Sequence, residues 1–398
     1  MGEPCIVAGD SCLTRQILQV RQAGIDRVLV YGSVDIERAE AVVDASALLR
    51  IVGESDLIVT VAAGVVTDSR VLAAVLRAPV PAVAAFAASA DVPQRGVERL
   101  DANYFAAGIG CYPGASVRRI AAQLGEWDLH STLLRSALGD PACQLLDLDE
   151  ISCEDPGVHR AVPLRWSRPD TPEAAVAVTA QLADDAQSTS FDWPTLYVVA
   201  PIRRLLLRYA ADARVPPLAI AAGALTIGLA AIVVIASGWL TIGLLLMLAV
   251  DIVSGVDESL GRLRLRVSRW QGVTAVLGDL VDAGWYVALG ARLAALQGND
   301  GPYAVAALLI LFVVAERGQL GFYNQFTGVP LARAGQAEAR LALVASNRIS
   351  RHWLIVPFAV FGAWYPALVA VAGYAVVSYF VTGWRCAVRL LATRRTQA

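Results

Sequence analysis

Between Asp251 and Asp282 the chain carries five carboxylates (Asp251, Asp257, Glu258, Asp279, Asp282) and four arginines (Arg262, Arg264, Arg266, Arg269), directly after residues 218–250, which hold no charge at all. A bilayer interior cannot solvate a carboxylate, so acids next to a membrane-length apolar run point to function. Clustered carboxylates can hold a hard divalent cation through their oxygens, and one of them can take a proton from an attacking hydroxyl. The competing arrangement is structural: the same acids pair with Arg262, Arg264 or Arg266 as ion pairs between helices. The residue types alone leave both open.

Helical spacing says how such acids would be positioned. Asp251 lies three residues before Ser254 and Glu258 four after it, and Ala275, Asp279 and Asp282 stand at i, i+4 and i+7. Residues so spaced share a helix face. Two facing helices would then bring Asp251, Asp257, Glu258, Asp279 and Asp282 into one acidic site. The apolar run of residues 218–250 would be about 50 Å long as one helix, against a hydrocarbon core of about 30 Å. It is therefore expected to be two helices turning at Ser237-Gly238-Trp239. Further spans are expected at about 272–294 and 302–324, and the uncharged run 353–384 is expected to split near Tyr365-Pro366, giving six transmembrane helices. Glu316 and Arg317, inside the fourth, read as an ion pair or as pocket lining.

Arginine placement sets the topology. Clusters lie at Arg203–Arg214, Arg262–Arg269, Arg333–Arg351 and Arg385–Arg395, whereas the loops around Gly238, Asn299–Gly301 and Pro366 contain none. Both termini are thus expected on the cytoplasmic side of the cell (plasma) membrane. Before the first span, Arg203, Arg204, Arg208 and Arg214 alternate with leucines and aromatics, as in an amphipathic helix lying among lipid headgroups.

Residues 1–185 differ in kind, with charges throughout. Helical residues around 15–22 lead through Gly-Ile-Asp into an apolar run ending at Gly32. Residues 56–63 form a second apolar run, followed by a helix over Ser69–Arg77, and Val80–Ala87 form a third run before the polar stretch near Asp91. Alternating elements of this kind predict a mostly parallel sheet with helices on both faces. Residues 186–215 would be the linker and juxtamembrane helix, and 216–398 the membrane domain. A net charge of −2 gives no ground for a nucleic-acid partner. There is no lysine, so none can anchor a phosphate. The six cysteines show no CxxC spacing and read as small core residues. His130 and His159 lack a matching acid or cysteine spacing, the acidic run Asp147–Asp155 reads as a solvated loop, and the N-terminus lacks the pattern of a signal peptide.

Two resemblances add to this. The segments RQAGIDRVLVYG, DLIVTVAAGVVTDSRVLAAVLRAP, GEWDLHSTLLRSAL and RWSRPDTPEAAVAVTAQL resemble a sugar-phosphate nucleotidyltransferase, implying a Rossmann-like α/β domain. The family's glycine-rich phosphate loop and its lysine have no counterpart here. Its metal-binding aspartate falls near Ala63 or Gly64, and of its later acids only Asp170 remains, with Arg168 at the other position. The membrane domain resembles the CDP-alcohol phosphatidyltransferase family, whose signature D-x2-D-G-x2-A-R-x8-G-x3-D-x3-D falls without gaps on Ser254, Asp257, Glu258, Gly261, Arg262, Gln271, Ala275 and Asp279. A shifted alignment puts Asp251, Ser254 and Gly255 on the opening D-x2-D-G. The resemblance implies Asp279 as general base, Arg262 and Gly261 at a CDP-alcohol, and Mg²⁺ or Mn²⁺ on Asp257, Asp251, Glu258 and Asp282 if the protein is active. It also implies a membrane lipid as partner and a homodimer. With Ser254 and Ala275 where two of four acids belong, two functions stay open. One is a transferase moving a phospho-alcohol or phosphatidyl group from a CDP-linked donor in phospholipid synthesis. The other is an inactive scaffold that binds lipid or nucleotide, needs no metal, and regulates a partner.

Overall fold

The computed structural model describes residues 5–32, 39–88, 97–155, 160–187, 192–213, 215–266 and 271–397. Asp91, His159, Arg214 and Arg269 lie outside the described residues. The chain forms two compact units, Met1–Gln187 with Arg262–Arg266, and Ser188–Gly261 with Val267–Ala398.

The strands of the first unit are, in order, β1 (Ile6–Val7), β2 (Asp10–Ser11), β3 (Leu29–Tyr31), β4 (Glu40–Val42), β5 (Leu57–Val61), β6 (Val66–Thr67), β7 (Ala82–Ala87), β8 (Tyr104–Pro113), β9 (Gln144–Asp147), β10 (Glu154–Asp155), β11 (Arg160–Ala161) and β12 (Trp166–Ser167). Its helices are α1 (Cys12–Gln22), α2 (Ala45–Ile51), α3 (Ser69–Arg77), α4 (Gly114–Ala121), α5 (Leu129–Leu138) and α6 (Pro172–Ala186). The helix starts are written in the sequence. Side chains of Ser11, Asp68, Asp128 and Thr171 accept backbone N–H groups at the first turns of α1, α3, α5 and α6, satisfying donors that have no partner inside the helix.

The main sheet has the order β5-β8-β7-β9. Strand β8 is antiparallel to both β5 and β7, and only β7 and β9 run parallel. The sheet is therefore mixed, not mostly parallel. A continuous apolar run reports burial on both faces but not strand direction, which is why the expectation failed. Helices do cover both faces. Along β8, Ala106 and Tyr112 pack with Leu48, Val117, Ile120 and Leu133 from α2, α4 and α5. Phe105, Ala107, Ile109 and Cys111 pack with Val71, Leu72 and Val75 of α3. That even–odd division is the two-residue period of a strand.

The second unit is helical: α7 (Ala200–Asp212), α8 (Pro217–Ala236), α9 (Leu240–Val253), α10 (Val256–Leu263), α11 (Gln271–Gln297), α12 (Gly301–Thr327), α13 (Gln336–Leu343), α14 (Arg348–Val360) and α15 (Trp364–Gln397). A π-helical turn, Thr195–Val199, leads into α7. Among the described residues, five segments are long and apolar enough to cross a membrane: Pro217–Ala236, Leu240–Leu263, Gly272–Gln297, Gly301–Thr327 and Trp364–Ala392. Their outward faces carry exposed Leu229, Val233, Leu245, Leu311, Val314 and Val377, as lipid contact requires. Inside, Trp285, Leu289, Ile355, Leu368 and Val371 are fully buried in one cluster. Gly228 of α8 sets one close approach: a Cβ there would lie 2.6 Å from Val281 of α11, so only glycine lets these two helices meet at that distance.

The expected turn at Ser237–Trp239 is present, with Gly238 at φ 96°. The later split falls at Phe361–Ala363, not at Tyr365-Pro366. Pro366 sits in the first turn of α15, where its missing N–H would have had no partner anyway. The segment before that split, α14, is 13 residues long.

Candidate functional site

The acid-rich stretch does not fold as one uninterrupted helix. α9 ends at Val253, Ser254 is extended, and Gly255 takes the left-handed φ of 88° before α10 begins. The helical phase that would have aligned Asp251 with Glu258 is broken there. The carbonyls of Asp251 and Ile252, which lose their helical partners at the break, accept from Arg203 of α7 at 2.6 and 3.1 Å. A cation at a helix C-terminus is also favourably placed for the helix dipole. The N–H of Gly255 donates to Asp257 Oδ1 at 3.1 Å.

Asp251 and Asp282, both buried, turn toward the first turn of α14. That turn presents Arg348, Arg351 and His352 at i, i+3 and i+4. Arg348 Nε donates to Asp251 Oδ1 at 3.2 Å, and its Nη2 donates to Ser254 Oγ at 3.0 Å. Arg351 Nη2 donates to Asp282 Oδ2 at 2.9 Å and its Nη1 to the Ser346 carbonyl at 2.6 Å. His352 lies between the two acids, with Nδ1 2.8 Å from Asp251 Oδ2 and Nε2 2.8 Å from Asp282 Oδ1. The Nδ1 contact is a well-formed hydrogen bond. The Nε2 contact is equally close but poorly aligned, so it acts mainly through charge. A neutral imidazole has one donor and a carboxylate has none. A neutral His352 can therefore donate to only one of the two carboxylates at a time. The rings of Trp285 and Tyr286 lie 5.4 and 5.8 Å from that of His352 and close the site on that side.

The donor set does not suit a divalent cation. Both oxygens of Asp251 are engaged by Arg348 and His352, and both oxygens of Asp282 by His352 and Arg351. Among the described residues no group of three His, Cys, Asp or Glu is placed to hold a metal. Asp279 is apart from this network and pairs with Arg317 of α12, so the i, i+3 step from Asp279 to Asp282 is enough to face different neighbours. Arg262 Nε donates to the Ala186 carbonyl at 3.1 Å. Gly261 is buried within α10. Arg348 and Arg351 meet Asp251 and Asp282, and Arg317 meets Asp279. Glu316 is not paired with Arg317; it accepts hydroxyl hydrogen bonds from Ser378 at 2.7 Å and Thr382 at 3.2 Å.

Beside the network a cavity of about 550 Å³ opens between α8, α9, α10 and α11. Leu225, Met247, Val273 and Leu277 form apolar walls, and Ser254, Asp257, Glu258, Thr274 and Arg348 bring polar groups to it. Asp257 and Glu258 therefore share a cavity, while Asp251 and Asp282 share a histidine. Sequence reasoning missed Arg203, Arg348, Arg351 and His352. For the last three the signal was the R-x2-R-H spacing immediately before an uncharged run, with His352 one of only three histidines.

The first unit has its own cavity, about 330 Å³, lined by Ala63, Glu98, Asp128, His130, Trp166 and Arg168 among others. Ala63 and Arg168, the positions where the nucleotidyltransferase resemblance has acids, do lie together on this cavity. Gly64 turns beside them at φ 78°, and a Cβ there would lie 3.8 Å from Arg168 Cγ. The acids present have other duties: Asp128 caps α5, and Glu98 accepts from Arg135 at 3.1 Å. Burial pushes the His130 imidazole below its ordinary value, toward the neutral form, and its Nδ1 has no hydrogen-bond partner among the described residues. Asp170 is exposed and does not line the cavity. No protein-family model matches this chain, and no curated protein matches it.

Proposed function

We propose that this is a membrane-embedded binding protein built on a CDP-alcohol phosphatidyltransferase-like frame, in which protein cations have taken over the role of the metals. The carrying observation is His352 held between Asp251 and Asp282, each acid also paired with an arginine. A network so neutralised leaves its carboxylates no oxygen to offer a dication. The ligand is a membrane lipid in the cavity between α8 and α11, its chain against Leu225, Met247 and Leu277 and its polar end toward Ser254, Thr274 and Arg348. The topology that accompanies this has six crossings, with α14 as a short one whose arginines reach the cytoplasmic face, both termini cytoplasmic, and the plasma membrane as host. The α/β unit is then a cytoplasmic, Rossmann-like domain.

The transferase alternative draws on one feature, the presence of Asp257 and Glu258 on that same cavity. Calorimetric titration of Mg²⁺ and Mn²⁺ into the purified full chain separates the two. The binding-protein proposal expects no heat of binding at millimolar metal, together with co-purifying lipid detected by mass spectrometry. Metal binding that is lost in Asp257→Asn, with turnover of a CDP-linked lipid, would favour the transferase.

A further inference from the structure

The sequence shows no paired cysteine motif, yet the fold places two thiols opposite each other. β1 and β2 form a hairpin with the register Ile6↔Ser11 and Val7↔Asp10. Its two-residue turn is Ala8-Gly9, both in the left-handed region at φ 54° and 85°, as the tight turn of a twisted hairpin requires. The next opposed pair outward is Cys5 and Cys12, and Cys12 N–H donates to the Cys5 carbonyl at 3.2 Å. Hydrogen-bonded antiparallel partners have Cα atoms about 5.5 Å apart, inside the span a disulfide bridges. Both thiols are free, Cys5 half-buried and Cys12 buried.

We propose that Cys5 and Cys12 are a reversible oxidation site, closed by thiol–disulfide exchange with a small-molecule disulfide of the glutathione class. The more accessible Cys5 attacks as thiolate. Its sulfur bonds to one sulfur of the oxidant and the other leaves as thiolate. Cys12, losing its proton to solvent, then attacks Cys5, forms the Cys5–Cys12 bond and expels the second small thiolate. Two protein thiols are oxidised and one small disulfide becomes two thiols. A more accessible attacking cysteine next to a resolving one is the arrangement that redox-responsive sites use.

The bond would act through α1, which begins at Cys12. Gln16 Nε2 donates to the carbonyls of Ala62 and Val65, both at 2.8 Å, and Gln19 Nε2 to that of Thr67 at 3.0 Å. These residues form the loop beside the cavity that holds His130 and Arg168. Fixing the hairpin to the first turn of α1 fixes the helix that holds this loop.

The test uses the full chain in detergent, equilibrated with reduced and oxidised glutathione in varied ratio, quenched in acid, alkylated after denaturation and mapped by mass spectrometry. The expected result is a Cys5–Cys12 linked peptide that grows with oxidised glutathione and disappears in the reduced buffer, while Cys111 and Cys143 remain alkylated. In Cys12→Ser, Cys5 should accumulate as its glutathione adduct; in Cys5→Ser, Cys12 should stay unmodified. Hydrogen exchange of residues 62–67 should slow in the oxidised protein. Alkylation of both cysteines at every ratio, or linkage of Cys5 to another cysteine, overturns the site. Equal modification of Cys12 in Cys5→Ser overturns the order of attack, and unchanged exchange at 62–67 overturns the coupling to the loop.

Discussion

The two units treat their charged side chains in opposite ways. In the helical unit buried acids are met by cations: Asp251 and Asp282 each hold an arginine and share His352. In the α/β unit the cavity is lined by Ala63 and Arg168, while its acids Asp128 and Glu98 serve a helix cap and a salt bridge. The difference follows from the medium. A carboxylate at a water-facing cavity is solvated and needs no buried partner. A carboxylate kept in a buried helical core must be matched by charge and hydrogen bonds or neutralised. Of the two described histidines, His352 therefore sits between two acids, while burial pushes His130 toward its neutral form.

The sharpest way to break this comparison is to unmatch the helical network. Asp282→Ala leaves Arg351 and His352 buried without their shared acid, and loss of one partner of a buried pair costs about 3–5 kcal/mol. Thermal unfolding in detergent should show a large drop in Tm. Adding Arg351→Met should recover part of it, because the stranded cation goes too. Recovery is the informative outcome, since a network holding a ligand instead of itself would show additive losses. The matching change in the α/β cavity, Arg168→Ala, should alter stability by less than about 1 kcal/mol, as exposed charges usually do.

How much was legible in the sequence follows the same physics. The α3 helix, the β5 and β7 runs, the amphipathic α7 and the Ser237–Trp239 turn were readable because periodicity and turn chemistry are local. Strand β8 was not, since Tyr-Phe-Ala-Ala-Gly-Ile-Gly-Cys-Tyr mixes strand formers with glycines and alanines that disfavour strands, although it is an inner strand of the sheet, buried along most of its length. The acids of the site were found by type, but their partners were not. Asp251 meets His352 across 101 residues of sequence, and no local pattern says which helix packs against which. The helical phase used for Asp251 and Glu258 failed at Ser254-Gly255, where glycine allows the left-handed turn.

A moderate effect is expected from pH in the α/β unit. Burial depresses the His130 imidazole below its ordinary 6.5, so in the window below 6.5 the unfolded chain binds the proton and the folded chain resists it. The unfolded state then holds more protons, and stability rises with pH across that window. It should be complete above about pH 6.5 and fall below it by at most about 1.4 kcal/mol per pH unit. Denaturant unfolding followed on α/β-unit signals should show this slope in wild type and lose it in His130→Gln. A slope that persists in the variant would move its origin to another group and weaken the contrast between the lone and the networked histidine.

The smallest expected change discriminates best between binding protein and transferase. Asp279 holds the general-base position implied by the transferase resemblance, yet it pairs with Arg317, and both side chains are substantially exposed, at 39% and 61%. A pair so placed is screened by its surroundings and contributes about 0.2–1 kcal/mol. Asp279→Asn keeps the shape and removes the charge. If Asp279 is only a pairing group, the variant should unfold within a degree or two of wild type in scanning calorimetry and retain its bound lipid. Arg317→Gln should then give the same small shift, and the double variant no more than either single one, because the two residues share one interaction. If Asp279 takes a proton from an acceptor alcohol, the asymmetry is large: Asp279→Asn abolishes turnover of a CDP-linked donor while Arg317→Gln leaves it measurable. Equal and minor effects of the two substitutions are what a protein-neutralised network next to a lipid cavity requires.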